Sequence, residues 1–392
     1  MTLIFPESHR YDCGSCTKCC RTVWNVHVSP KAYDQIVGTP LFERMKAEHG
    51  RDPVYMDEVS GEKSALALVN KGGCIFLGPD RLCNVHREIG VGAKPLGCRE
   101  FPFLPVPTPD GVYVGLSFYC SAVQANHGRP VEAHAAEIEG MLNEYRYERV
   151  GFDPIALDRD RHISWNAYKA LEAFATARLE GSVGDAAWDV ACVVARARRA
   201  LPAAQTSPAG GEASPFVVDD AHWQALLDQH APVPKDDVLL HVERMFVEGV
   251  VGVLESDSPE ACKANTEAIF RRGRLTSATL GGEIDLAHLD DFRTRFDASW
   301  SHAEIRRYLN QLVFRKFLAL KRPLASNAAA FHLAWPLLGW YRDLSAYHAG
   351  RLAPDMNDLR TAFDVVERGF IMHARNMDPF FDQLADALSK LI

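Results

Sequence analysis

Four cysteines fall within eight residues near the start of the chain, in the stretch Cys13-Gly-Ser-Cys-Thr-Lys-Cys-Cys20. A run this dense limits what the surrounding segment can become. Thiols so close together bind metal, pair as disulfides or do redox chemistry, and each use bends the backbone into turns before any core is laid down. Of the ten cysteines in 392 residues, eight lie in the first third: Cys13, Cys16, Cys19, Cys20, Cys74, Cys83, Cys98 and Cys120. Cys192 and Cys262 stand alone in helical surroundings and read as small core residues.

Metal ligation fits this pattern best. A Cys-x2-Cys turn brings two sulfurs onto one tight loop, and four converging sulfurs satisfy zinc at about 2.3 Å or an iron–sulfur cluster. Cys13, Cys16 and Cys19 give two such steps in succession, and further thiols arrive from later turns. Cys74 follows two glycines, Cys83 follows a Gly-Pro-Asp turn and Cys98 follows Gly97, where a small residue lets the backbone close on a ligand. Cys19 and Cys20 are neighbours. In a helix their side chains diverge by about 100°, so one faces the first centre and the other a second site, the core or a redox partner. His27 and His86 are nearby nitrogen donors, read as surface or capping histidines. Lys18, Arg21, Arg81, Arg87, Lys94 and Arg99 lie beside the cysteines and read singly as a solvated face.

The disulfide alternative depends on compartment. "MTLIFPESHRYDCG" has no basic residue before its short apolar run, so it reads as neither a secretory signal nor a presequence. No run of about 18 apolar residues reads as a membrane span. The expectation is a cytoplasmic chain whose thiols stay reduced. A net charge of −8 gives no basic nucleic-acid footprint, and neither a nucleic-acid nor a membrane partner is expected.

The fold class expected is mainly α: a small, irregular, cysteine-rich metal-binding N-terminal domain with short strands, then an α-helical region. The division reads as 1–125 for the cysteine-rich domain, 126–201 helical, 202–215 a linker ("PAAQTSPAGGEASP") and 216–392 helical. Ser29 and Pro30 open a helix as cap and first residue. "VWNVHV" (23–28) and "GVYVGLSFYC" (111–120) read as strands, the second after a Pro-Asp-Gly turn. "VEAHAAEIEGMLNEYRYERV" carries helical spacing, and Trp165, Tyr168, Leu171 and Phe174 with Ala175 form one helical stripe. Later helices are expected near 219–230, 236–254, 258–271, 301–320, 325–347, 355–373 and 378–391.

"CGSCTKCC", "GGCIFLGPDRLCNVHRE" and "KPLGCREFPF" together resemble the CxxCxxCC (YkgJ-like) family of zinc- or iron-chelating proteins. Cys13, Cys16, Cys19 and Cys20 match its first motif, and Cys74 with Phe76 and Leu77 its second. Cys83 matches the third, with His86 where Tyr is usual. Cys98, Arg99, Phe101 and Pro102 match the last, with Lys94-Pro95 in place of Arg-Pro. The resemblance covers about residues 11–105. The longer chain is similar to the flagellin lysine N-methylase family in "REIGVGAKPLGC", in "VGLSFYCSAV" with Cys120, and in "RRYLNQLVFRKFLA". That likeness implies an enzyme using S-adenosylmethionine and an iron–sulfur cluster on a flagellin-like protein lysine.

The residues themselves carry less of that activity. No Gly-x-Gly-x-x-Gly follows a strand. The radical S-adenosylmethionine spacing is left incomplete, because Cys16-x3-Cys20 is followed by Val23. Hydrolase motifs are absent too. Three readings result: a metal-cluster protein with all eight N-terminal cysteines as ligands and a [4Fe–4S] cluster favoured over zinc; a lysine N-methylase using that cluster; and a zinc-stabilised helical module that binds a partner.

Overall fold

The computed structural model describes residues 2–22, 24–59, 62–70, 72–144, 152, 154–201, 216–372 and 377–392. The chain divides into two compact units. Residues 3–105 with 114–148 form one, and 106–113 with 149–392 the other. The expected architecture is present: short strands and turns in the N-terminal region, helices thereafter. The linker reading at 202–215, Val23 of the first strand reading, the 145–150 end of the 131–150 helix and the tail of the 355–373 helix lie outside the described residues. Among the described residues no helix is long and apolar enough to cross a membrane.

The first unit builds its core from small pieces. Pro30–Ile36 is a helix whose first turn is fixed by Pro30 and by the Ser29 hydroxyl, which accepts from the Ala32 amide at 3.3 Å. Thr39 caps Pro40–His49 in the same way, and Gly50, at φ 69°, ends it. An antiparallel sheet of Val26–His27, Glu62–Ala67 and Val54–Val59 packs beside them, with Val26 and Val54 both opposite Ala67. Ile36, Leu41, Met45, Phe76 and Val85 close the core. Fully burying each such side chain contributes roughly 1.5–3 kcal/mol. Cys74, Cys83 and Cys98 are half-buried against this same cluster.

The second unit is a helical array centred on Leu324–His348. Val183–Ala200, Met356–Val365 and Asp378–Leu391 pack on this long helix. Ser164 caps Trp165–Leu179, accepting from the Ala167 amide at 3.0 Å, and Trp165, Tyr168, Leu171 and Ala175 are buried as the stripe requires. Several features depart from the sequence reading, among them a small sheet of Ile155–Ala156, Arg161–Ile163 and Phe216–Val217. A hairpin, Arg274–Thr276 with Glu283–Asp285, lies where strands were scarce. The helix expected over 301–320 stops at Phe314, and Phe317–Ala319 resumes as a single 3-10 turn. Lys316 sits between them at φ 62°. Its ammonium is buried 2.7 Å from Glu172 Oε2 and 3.4 Å from the centre of the Tyr113 ring. The ion pair and the aromatic face hold a left-handed residue that costs roughly 1–2 kcal/mol.

Candidate metal centre

Every thiol named from the sequence lies in the first unit, and all eight are free cysteines. The dense run folds as an irregular segment through Cys13 and Cys16, turned by Ser15 and Thr17 at positive φ, into one helical turn, Lys18–Arg21. Cys19 and Cys20 occupy the middle of that turn. Their sulfurs are 3.9 Å apart, yet they face different neighbours.

Cys20 looks toward the later turns. Gly73, at φ 105°, lies so close that a side-chain carbon there would meet the Cys20 carbonyl oxygen at 2.5 Å and the Arg21 Cα at 2.6 Å. Only glycine permits that approach, and it sets Cys74 beside Cys20. The chain then folds back: the Leu77 amide donates to the Cys74 carbonyl at 3.0 Å, and Leu77 bridges Cys83 in antiparallel fashion. Cys98 follows in the helix Leu96–Glu100. Burial first, then the nearby thiols of Cys98, Cys83 and Cys20, pushes Cys74 up to about 12. Burial likewise pushes Cys98 up to about 12, with Cys83 and Cys20 again the thiols in reach and Lys94 opposing them. Cys20, Cys74, Cys83 and Cys98 therefore share one neighbourhood, with Lys94 as its cation. Gly97 behaves otherwise than expected, since a side chain there would meet nothing within 4 Å.

Cys19 looks the other way. The Cys20 thiol and burial raise it, and Cys120 and Cys13 are the next thiols that act on it. The same sulfur–sulfur contact lowers Cys20, so the adjacent pair loses one proton readily and holds the second. Cys120 begins the short helix Ser121–Gln124. Burial raises it, and Cys16 is the thiol in reach. Backbone contacts clasp this second group. Asp12 N donates to the His127 carbonyl at 3.0 Å, Arg10–Tyr11 pairs with Arg129–Pro130, and Gly128 packs directly on the Tyr11–Asp12 peptide. The Thr22 and Tyr119 hydroxyls, 2.6 Å apart, tie the helical turn to the residue before Cys120, and the Lys18 ammonium lies 4.8 Å from the Tyr119 ring centre. Cys13, Cys16, Cys19 and Cys120 form this outer group, with Cys13 and Cys16 exposed.

The thiol neighbours thus differ on the two sides of the Cys19–Cys20 peptide, Cys74 and Cys98 lying toward Cys20 and Cys13 and Cys120 toward Cys19. Among the described residues, no three Cys, His, Asp or Glu side chains are drawn in to a ligating cluster. The donors nearest one another on each side are thiols, which suit a thiophilic metal. His27 and His86 are exposed and join neither set. Three of the six neighbouring basic residues have partners elsewhere: Arg87 with Asp80 and Glu88, Arg99 with Glu144, and Arg21 with the Thr17 hydroxyl. The sequence shows Lys94 four residues before Cys98, whereas only the fold brings it to Cys20 as well. Cys192 is fully buried in the second unit, as a core residue should be.

A cysteine-rich unit offering all-sulfur donor sets is the class these features define. Residues 12–124 match the family model CxxCxxCC, described as "Putative zinc- or iron-chelating domain". The match takes in all eight N-terminal cysteines and extends beyond residue 105, where the motif resemblance ended. No curated protein and no solved structure matches the chain.

Proposed function

We propose that residues 12–124 bind metal at two four-thiolate sites, an inner one of Cys20, Cys74, Cys83 and Cys98 and an outer one of Cys13, Cys16, Cys19 and Cys120. The observation that supports this reading is that Cys19 and Cys20, with sulfurs 3.9 Å apart, have different thiol neighbours: Cys120 and Cys13 for the first, Cys74 and Cys98 for the second. Tetrahedral all-sulfur sites suit zinc or iron–sulfur clusters. Four thiolates leave a net charge of −2 around either Zn²⁺ or [4Fe–4S]²⁺, and Lys94 and Lys18 are placed to offset part of it. The number of thiols and the lack of imidazole donors favour [4Fe–4S].

Protein purified without oxygen tests this directly. Brown protein containing iron and acid-labile sulfide is the expected result. Colourless protein with two equivalents of zinc would keep the two-site reading and sink the iron–sulfur one. The lysine methylation implied by the longer resemblance is a separate proposal on which the cysteine geometry does not bear. It requires transfer of labelled methyl from S-adenosylmethionine to a protein lysine.

A further inference from the structure

The two sets differ in how the fold holds them. The inner thiols come from three turns packed on the apolar core: Cys74, Cys83 and Cys98 all touch the cluster that contains Phe76 and Val85. Gly73 presses that wall against the Cys20 backbone. The outer set is open on one side. Cys13 and Cys16 are exposed, the segment between them has no regular structure, and a side chain added at Gly14 would meet nothing within 4 Å. Ser15 at φ 48° and Thr17 at φ 66° flank Cys16 with left-handed residues, so the loop carries strain that a ligated metal would have to hold.

A thiolate-bound metal leaves when its ligands are replaced one at a time by an incoming donor. The first replacement needs a ligand that can swing into solvent while another donor approaches. Cys13 and Cys16 have that freedom. Cys74, Cys83 and Cys98 do not, because they pack against the apolar core and their displacement would open it. The apolar shell around a site controls solvent access and retention of the metal.

Resting on the two-site reading, we propose that the outer group is an exchange site, through which metal is taken up or handed to a thiol-bearing acceptor, while the inner group keeps its metal as part of the fold. In a handover each acceptor thiolate forms a bond to the metal as one protein thiolate releases its own. The charge on the metal is unchanged, and one proton passes from each incoming thiol to solvent or to the departing cysteine.

The test uses the full chain as purified under nitrogen, challenged with EDTA, with bound metal followed by native mass spectrometry. About half of the metal should leave at least tenfold faster than the rest. Cys16→Ser should abolish the fast fraction and leave the slow one. Alkylation of the wild-type protein after the fast phase should label Cys13 and Cys16 and spare Cys74, Cys83 and Cys98, a readout that does not depend on any variant folding. A single release rate, or labelling of Cys74 together with Cys13, would overturn the exchange proposal and leave two-site binding intact. Wild-type protein that binds no metal would overturn the two-site reading itself.

Discussion

The two units handle buried charge in opposite ways. In the helical unit ionisable side chains are buried with their partners already in place. Arg315 donates to both oxygens of Glu367 at 2.7 and 3.0 Å, and the Tyr308 hydroxyl donates to the same carboxylate. Asp189 receives His230 at 3.0 Å, and Arg342 and Arg293 flank Asp343. Glu255 accepts from the Ser277 hydroxyl and from Thr279. In the cysteine-rich unit no Asp, Glu, Lys or Arg among the described residues is buried. Its desolvated ionisable groups are the thiols and Tyr11, and each of these has thiols as neighbours. The helical unit therefore pairs its buried charges with its own side chains, whereas burial keeps Cys74 and Cys98 protonated and neutral unless a metal takes the place of the protons.

The comparison is broken most severely by removing that cation. Cys83→Ser, or stripping metal from the wild type, should unfold the first unit and leave the helical unit folded, as read by hydrogen exchange in each. The energy at stake is on the order of 10 kcal/mol for a structural site. Equal loss of protection in both units would show that they do not differ in this way.

Acid sharpens the same contrast. Without metal, Cys74 and Cys98 titrate near 12, above the unfolded value of about 8.5. Their contribution to stability is therefore fully present below the unfolded value and is lost only as pH rises through 12. With metal bound they are thiolates, so the folded state carries fewer protons than the unfolded one. Stability should then rise with pH between about 5 and 8. Loaded protein should show that slope in the denaturation midpoint of its first unit. Loading in weak buffer should release a proton from each of these two thiols.

A smaller effect belongs to the other unit. Glu367→Ala leaves Arg315 buried without its anion, which should cost about 3–5 kcal/mol with no change in metal content. Denaturant midpoints and metal analysis on one preparation check both halves of that statement. Smallest of all, Cys192→Ala deletes one buried sulfur and should cost roughly 1 kcal/mol while every metal equivalent is retained. Metal loss there would place a ligand outside the N-terminal unit.

Much of the helical unit was legible because its signals are local. The stripe Trp165, Tyr168, Leu171 and Ala175 read correctly there, as did the cap and proline at Ser29 and Pro30 in the first unit. The turn Pro109-Asp110-Gly111 opens a real strand, Gly111–Leu116. The break at Lys316 was not legible, because a lysine inside "VFRKFLA" continues a helix unless a distant Glu172 and Tyr113 draw its ammonium inward. The cysteines were legible as a set but not as two groups. The partner of Cys20 is decided by how near Gly73 comes to it, and the partner of Cys19 by the clasp of Asp12, His127 and Gly128, contacts spanning 50 to more than 100 residues. Spacing could show that Cys19 and Cys20 diverge, whereas only tertiary contacts say toward what.

The division at Cys19–Cys20 also orders events during synthesis. Every inner ligand has been made once Cys98 is added, and the outer set waits for Cys120, 22 residues later. At ribosomal speeds of about 5–20 residues per second, that is an interval of roughly one to four seconds. During it Cys13, Cys16 and Cys19 have no fourth partner, and the inner quartet can already be filled. If the two-site proposal holds, the nascent chain is metallated from its centre outward, with the site most open to solvent closing last.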